Sequence, residues 1–160
     1  MLLRLRSLRH GVVHRLGADA PMIEFSISAV PPSLNVWSRK HWSVRRREAA
    51  RWRALVSTAA RYEMRRRIPL RGFGPTSAPR FPITPAIVTL SFRLPRGGDA
   101  SNREKFVTDG LIGTLIVDDG PPHLVELRLR SERGKPAETT VRVEEAQTTR
   151  SEHGQGDKEA

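Results

Sequence analysis

Residues 97–120, GGDASNREKFVTDGLIGTLIVDDG, hold six polar side chains of the types phosphoryl chemistry uses: Asp99, Asn102, Lys105, Asp109, Asp118 and Asp119. Carboxylates are hard oxygen ligands. Magnesium takes one or two of them, keeps several waters and completes its shell with substrate phosphate oxygens. A lysine nearby neutralises charge developing on a scissile phosphate. Lys105 and Asp109, four residues apart, share one helix face, and Asp99 stands just ahead of the helix start. A ten-residue helix advances about 15 Å. The segment 113–118, if extended at about 3.3 Å per residue, covers the same distance in reverse. On that path the Asp118–Asp119 pair returns to Asp99, and carboxylates so gathered repel one another unless a divalent cation sits between them. The same residues have a plainer reading: Asp99 and Asn102 are turn and cap residues, and Asp-Asp-Gly is a turn.

The elements that must position these groups can be read from periodicity. MIEFSISA, 22–29, alternates Ile23, Phe25 and Ile27 with polar residues, the pattern of a half-buried strand that Pro31 and Pro32 stop. Ser43 is placed to cap a helix running to about Arg67, with Ala49, Trp52, Leu55 or Val56, Ala59 and Tyr62 at helical spacing. Arginine crowds its other faces, in clusters at 45–47 and 65–67 that serve either as a solvated face or as a cationic surface. Residues 71–85, rich in glycine and proline, predict a surface loop. AIVTLSFRL predicts a second strand. Asn102 is placed to cap a helix from Arg103 to about Ile112, ended by a left-handed Gly113, and the LIV after it reads as extended. LVELRLRS and TTVRVEE both alternate, as in a hairpin. The expected fold is an α/β (α+β) sandwich, one mixed four-stranded sheet under two helices, spanning 22–146. A flexible basic arm, 1–21, would precede it, with Met22 an alternative start, and a disordered tail, 147–160, would follow.

The chain carries 24 arginines and four lysines against 17 carboxylates, a formal net charge of +11. Excess of this kind speaks to association, and phosphate is its natural counterpart, because the arginine fork binds phosphate oxygens in pairs. There is no cysteine, so any metal must be held by oxygen or imidazole and a cytosolic setting is expected. No apolar run approaches the roughly 20 residues that cross a bilayer. His123 reads as structural, with a proton-carrying role as the alternative. Trp37 and Trp42 serve either to stack on unpaired bases or to pack the loop against the core.

Taken in order, Asp99-Ala100-Ser101-Asn102, Lys105, Asp109, Asp118-Asp119 and Val125-Glu126-Leu127, with PPSLN at 31–35 and His41-Trp42 upstream, resemble the motifs of the RusA family of Holliday junction resolvases. The resemblance runs over residues 22–146. It implies a magnesium-dependent endonuclease, with manganese as a substitute ion, that works as a homodimer whose two-fold axis matches a four-way DNA junction. It also implies Asp99 and Asp119 as catalytic metal-binding carboxylates, Asp118 as a further metal ligand and Lys105 as the catalytic cation. DNA contacts are expected from Asn102, Arg96, Arg45, Arg46 and Arg47, in a nucleoid-associated cytoplasmic protein. Two departures stand out. Ser101 replaces the motif's second aspartate by a hydroxyl, a weaker ligand for a hard ion. Gly98 stands where a basic residue is frequent, which leaves Arg96 or the other subunit to supply that charge. Glu104 is either a substitute ligand or a first-turn carboxylate favoured by the helix dipole. Two functions follow: an active junction endonuclease, or a branched-DNA-binding protein of the same descent with weakened catalysis.

Overall fold

The computed structural model describes residues 22–67 and 81–146. The expected arm 1–21, the tail 147–160 and most of the loop 71–85 lie outside the described residues. The elements are β1 (Met22–Ile27), a single turn α1 (Leu34–Trp37), α2 (Trp42–Arg67), β2 (Ala86–Leu94), α3 (Glu104–Leu111), β3 (Leu124–Arg133) and β4 (Glu138–Glu145). The four strands make one mixed sheet in the order β1-β4-β2-β3, as the α+β expectation required.

Strand alternation becomes a two-faced sheet because successive side chains point to opposite sides. Ile23 and Phe25 stand beside Val143 and Val141, which stand beside Val88 and Leu90, and these beside Leu127 and Leu129. This row forms the floor of the core, under α2 and α3. The opposite face carries the charged and hydroxyl register of Glu24, Arg142, Thr89 and Arg128, with Ser26, Thr140, Ser91 and Arg130 alongside. Glu126 and Arg128 pair there at 2.8 Å.

The strands β3 and β4 do not form the expected hairpin, for β2 lies between them, parallel to β3 and antiparallel to β4. Their short connection crosses the end of β2, where the Leu94 carbonyl accepts the Gly134 amide at 3.1 Å. Arg93 of β2 clamps the crossing, donating to Glu132 of β3 at 2.7 Å and to Glu138 of β4 at 2.8 Å. A two-strand reading fails here because alternation specifies a face and leaves the neighbour open.

The buried stripe of α2 is Trp52, Val56 and Ala60, with Ala49, Ala59 and Met64 packed beside it. Tyr62, expected on that stripe, is 63% exposed, because it falls about half a turn from Ala60's side of the helix. The helix also begins two residues earlier than expected, at Trp42. His41 stands where Ser43 was expected to cap: its carbonyl accepts the amides of Val44 and Arg45, and its Nδ1 accepts the Ser43 amide at 3.4 Å.

Candidate active site and nucleic-acid interface

The acidic motif wraps α3. Past the end of β2 the chain turns at Gly97, whose amide donates to the Leu94 carbonyl. Gly98 then adopts φ 141°, and a Cβ there would lie 3.3 Å from Leu94 Cδ1. No basic side chain fits that backbone without strain, which gives Gly98 a structural reason. Asp99 is exposed and its Oδ1 accepts the Ser101 amide at 2.9 Å. The Ser101 hydroxyl, and to a smaller extent this amide, hold the Asp99 carboxyl below its ordinary range. Ser101 therefore serves Asp99 as a donor.

Asn102 does not cap α3. Arg103 stands at the cap position without a side-chain cap bond, and the helix runs Glu104–Leu111. The Asn102 carbonyl instead accepts the Leu34 amide at 2.8 Å. The buried part of Arg103 reaches the Pro31 carbonyl, and desolvation holds its pKa down. Phe106 meets the Trp37 ring edge-on at 5.4 Å. The PPSLN segment and the acidic loop are thus pinned together. Glu104 lies in the first turn of α3, and Lys105 pairs with Asp109 at 3.3 Å.

Gly113 ends the helix with φ 72°, as expected. The extended return does not form. The amides of Leu115 and Ile116 both bond back to the Leu111 carbonyl, so the chain makes a compact turn, and Ile116 bridges to Ile83 ahead of β2. Asp118 and Asp119 follow, exposed, with the Asp119 amide donating to Asp118 Oδ1 at 2.8 Å. The Gly120 carbonyl then accepts the amides of His123 and Leu124, and Leu124 pairs with Ala86. His123 contacts Thr84 at 3.2 Å and its carbonyl accepts the Ala86 amide, a structural place.

Asp99 follows the C-terminal end of β2, whereas Asp118 and Asp119 precede the N-terminal start of β3. In a parallel pair those are opposite ends. The structure brings together Asp118 with Asp119, Lys105 with Asp109, and Asp99 with Ser101. Among the described residues no group of three or more His, Asp or Glu side chains is gathered to hold one ion. As a donor set, Asp118 and Asp119 supply the one or two carboxylates that magnesium asks of a protein.

Charge pairing divides the acids into two groups. Glu24, Glu48, Glu63, Asp109, Glu126, Glu132, Glu138 and Glu144 each have a cationic partner. Asp99, Asp118, Asp119 and, at the end of β4, Glu145 have none among the described residues, although the chain carries eleven more cations than anions. On α2, Arg46, Arg47, Arg51, Arg53, Arg61 and Arg65 are likewise without an ion pair among the described residues. All six are exposed, on a surface the sequence reading marked by the clusters 45–47 and 65–67 and credited with DNA contacts at Arg45, Arg46 and Arg47. Arg45 itself lies over the Trp37 ring, 5.5 Å from its centroid. Arg96 is exposed in the turn before Gly97. Helical spacing would have found Arg51 and Arg61, since residues opposite a buried stripe must face solvent. No helix among the described residues is long and apolar enough to cross a membrane. No family model matches the chain, and no curated protein does so either.

Proposed function

We propose that the chain is a magnesium-dependent, structure-selective endonuclease of RusA type that binds branched DNA through α2 and acts on four-way junctions as a homodimer. The observation that carries this reading is the segregation of unpaired charge. Exposed arginines without an ion pair run along α2, while unpaired aspartates flank α3 in a chain rich in cations that would otherwise neutralise them. Phosphates satisfy the first set, and a divalent ion satisfies the second. Asp118 and Asp119, with Asp99 as the third carboxylate, would hold magnesium, which supplies an activated water and charge stabilisation when bound. Lys105 is the cation for the phosphate under attack, its ammonium exposed beside Asp109. Because Asp99 and the Asp118–Asp119 pair leave the sheet at opposite ends, a second protomer is the means of bringing them to one phosphate.

The second reading, a branched-DNA-binding protein with weakened catalysis, is favoured by one contact. Ser101 offers Asp99 a hydrogen bond at the position where the motif has a carboxylate.

The test is a labelled four-way junction incubated with the protein and magnesium or manganese. Cutting by the parent, reduced at least about 100-fold in Asp119→Asn, is the outcome the nuclease reading requires; a metal-bound carboxylate is worth at least the several kcal/mol this represents. Binding without cutting, with activity appearing in Ser101→Asp, is the outcome of the second reading.

A further inference from the structure

The corner between α1 and α2 carries a tryptophan that nothing among the described residues covers. Trp42 is 62% exposed, on a residue type that is highly buried on average. Its neighbour in the same corner shows what a packing role looks like. Trp37 is half-buried, lies edge-on to Phe106, and donates from Nε1 to the Arg45 carbonyl at 3.2 Å. Trp42 does none of this. Its one ring neighbour among the described residues is the exposed His41, 5.6 Å away and tilted by 43°. Val36, 58% exposed, adds a third apolar surface to the corner.

The backbone under Trp42 is held. It is the first residue of α2, the preceding carbonyl accepts two amides of the first turn, and Trp37 ties that turn to α1. Arg46, one turn on and on the same side, and the exposed Arg39 have no ion pair among the described residues. An exposed indole on a held backbone, among guanidinium groups without ion pairs, has the makeup of a base-stacking platform, in which cations track the phosphates and the ring takes the π-face of a base. A duplex offers no such face, because its bases are already stacked. The corner also adjoins the acidic loop, through the Leu34 to Asn102 bond.

We propose that Trp42 stacks on an unpaired base of single-stranded or branched DNA and so selects branch points over duplex, with Arg39 and Arg46 on the adjoining phosphates. This rests on the reading of the chain as a branched-DNA-binding protein. The test measures equilibrium binding of the full chain, W42A and W42F to a single-stranded oligonucleotide, to the blunt duplex of the same sequence and to a four-way junction.

W42A should bind the single strand and the junction roughly tenfold more weakly, the worth of one base stack, and the duplex within about twofold of the parent. W42F, which keeps a ring, should recover most of the loss. The parent's tryptophan emission should be quenched by the single strand and much less by the duplex. Equal losses on all three DNAs, or no loss on any, overturn the stacking role while leaving DNA binding intact. A parent that binds none of the three overturns the function itself together with this inference.

Discussion

At the scale of single residues, the loop from Gly98 to Asn102 shows how one side chain changes a motif's chemistry. A carboxylate at position 101 would add negative charge beside Asp99, whereas Ser101 donates to it and stabilises its ionised form. In Ser101→Ala the larger of the two hydrogen bonds is gone, and the Asp99 pKa should rise toward the ordinary carboxylate value, read by NMR titration of its side-chain carboxyl. An unchanged titration would mean that the hydroxyl plays no part. The sign for stability follows from a depressed folded-state pKa. Asp99's contribution is complete above the unfolded value of about 3.9 and is lost as pH falls through the lower folded one. With Asp99 exposed, solvent screens that contribution to a small one. Gly98 illustrates the opposite case, a backbone conformation that dictates the residue whatever the local chemistry would prefer.

At the scale of elements, the seat of α3 against α2 depends on Gly110. A Cβ placed there would lie 2.6 Å from Val56 Cβ. Val56 cannot swing away, since its Cβ is fixed to the backbone, and it is fully buried. Alanine is favoured over glycine within a helix by about 1 kcal/mol. Overpacking at a closed contact costs about 1–3 kcal/mol, and here the helices themselves must part, so the clash outweighs the gain. Gly110→Ala should lower the unfolding free energy by about 1–2 kcal/mol in urea denaturation. Combining it with Val56→Gly, which removes the clashing Cβ, should cost less than the two changes summed. A neutral or stabilising Gly110→Ala would show that the two helices sit farther apart. The same helix pair holds the acidic loop in place, because α3 begins immediately after it.

At the scale of the whole molecule, charge is sorted by position. The inner sheet face is apolar, the outer face holds paired charge, and unpaired cations collect on the outside of α2. If Arg46, Arg47, Arg51, Arg53, Arg61 and Arg65 each neutralise one phosphate, log affinity should fall against log salt with a slope of about −5. Duplex binding should then weaken about a thousandfold between 50 and 200 mM salt, measured by fluorescence anisotropy. A slope shallower than about −2 would take most of these arginines off the phosphate backbone. The topology adds a geometric condition. The β2-α3-β3 crossover separates Asp99 from Asp118 and Asp119 along the strand direction, so cleavage by all three together calls for two protomers, whereas binding through α2 calls for one.

Much of this was legible in the residues alone. Alternation in MIEFSI and TTVRVEE determined which side chains enter the core, β-branched content marked AIVTLSFRL as a strand, helical spacing determined Trp52 and left Leu55 or Val56 after it, and composition determined the cationic surface, because each records a side chain's preference for water or core. The order of the strands was decided only by the tertiary structure. Backbone hydrogen bonding is the same for any sequence, so nothing in LVELRLRS or TTVRVEE says that β2 intervenes between them. The turn after Leu111 was decided in the same way: 113–118 could be extended or compact, and the choice came from Ile116 finding Ile83 and the Leu111 carbonyl. So was the difference between Trp37 and Trp42, alike as residues, one of which meets Phe106 while the other meets solvent.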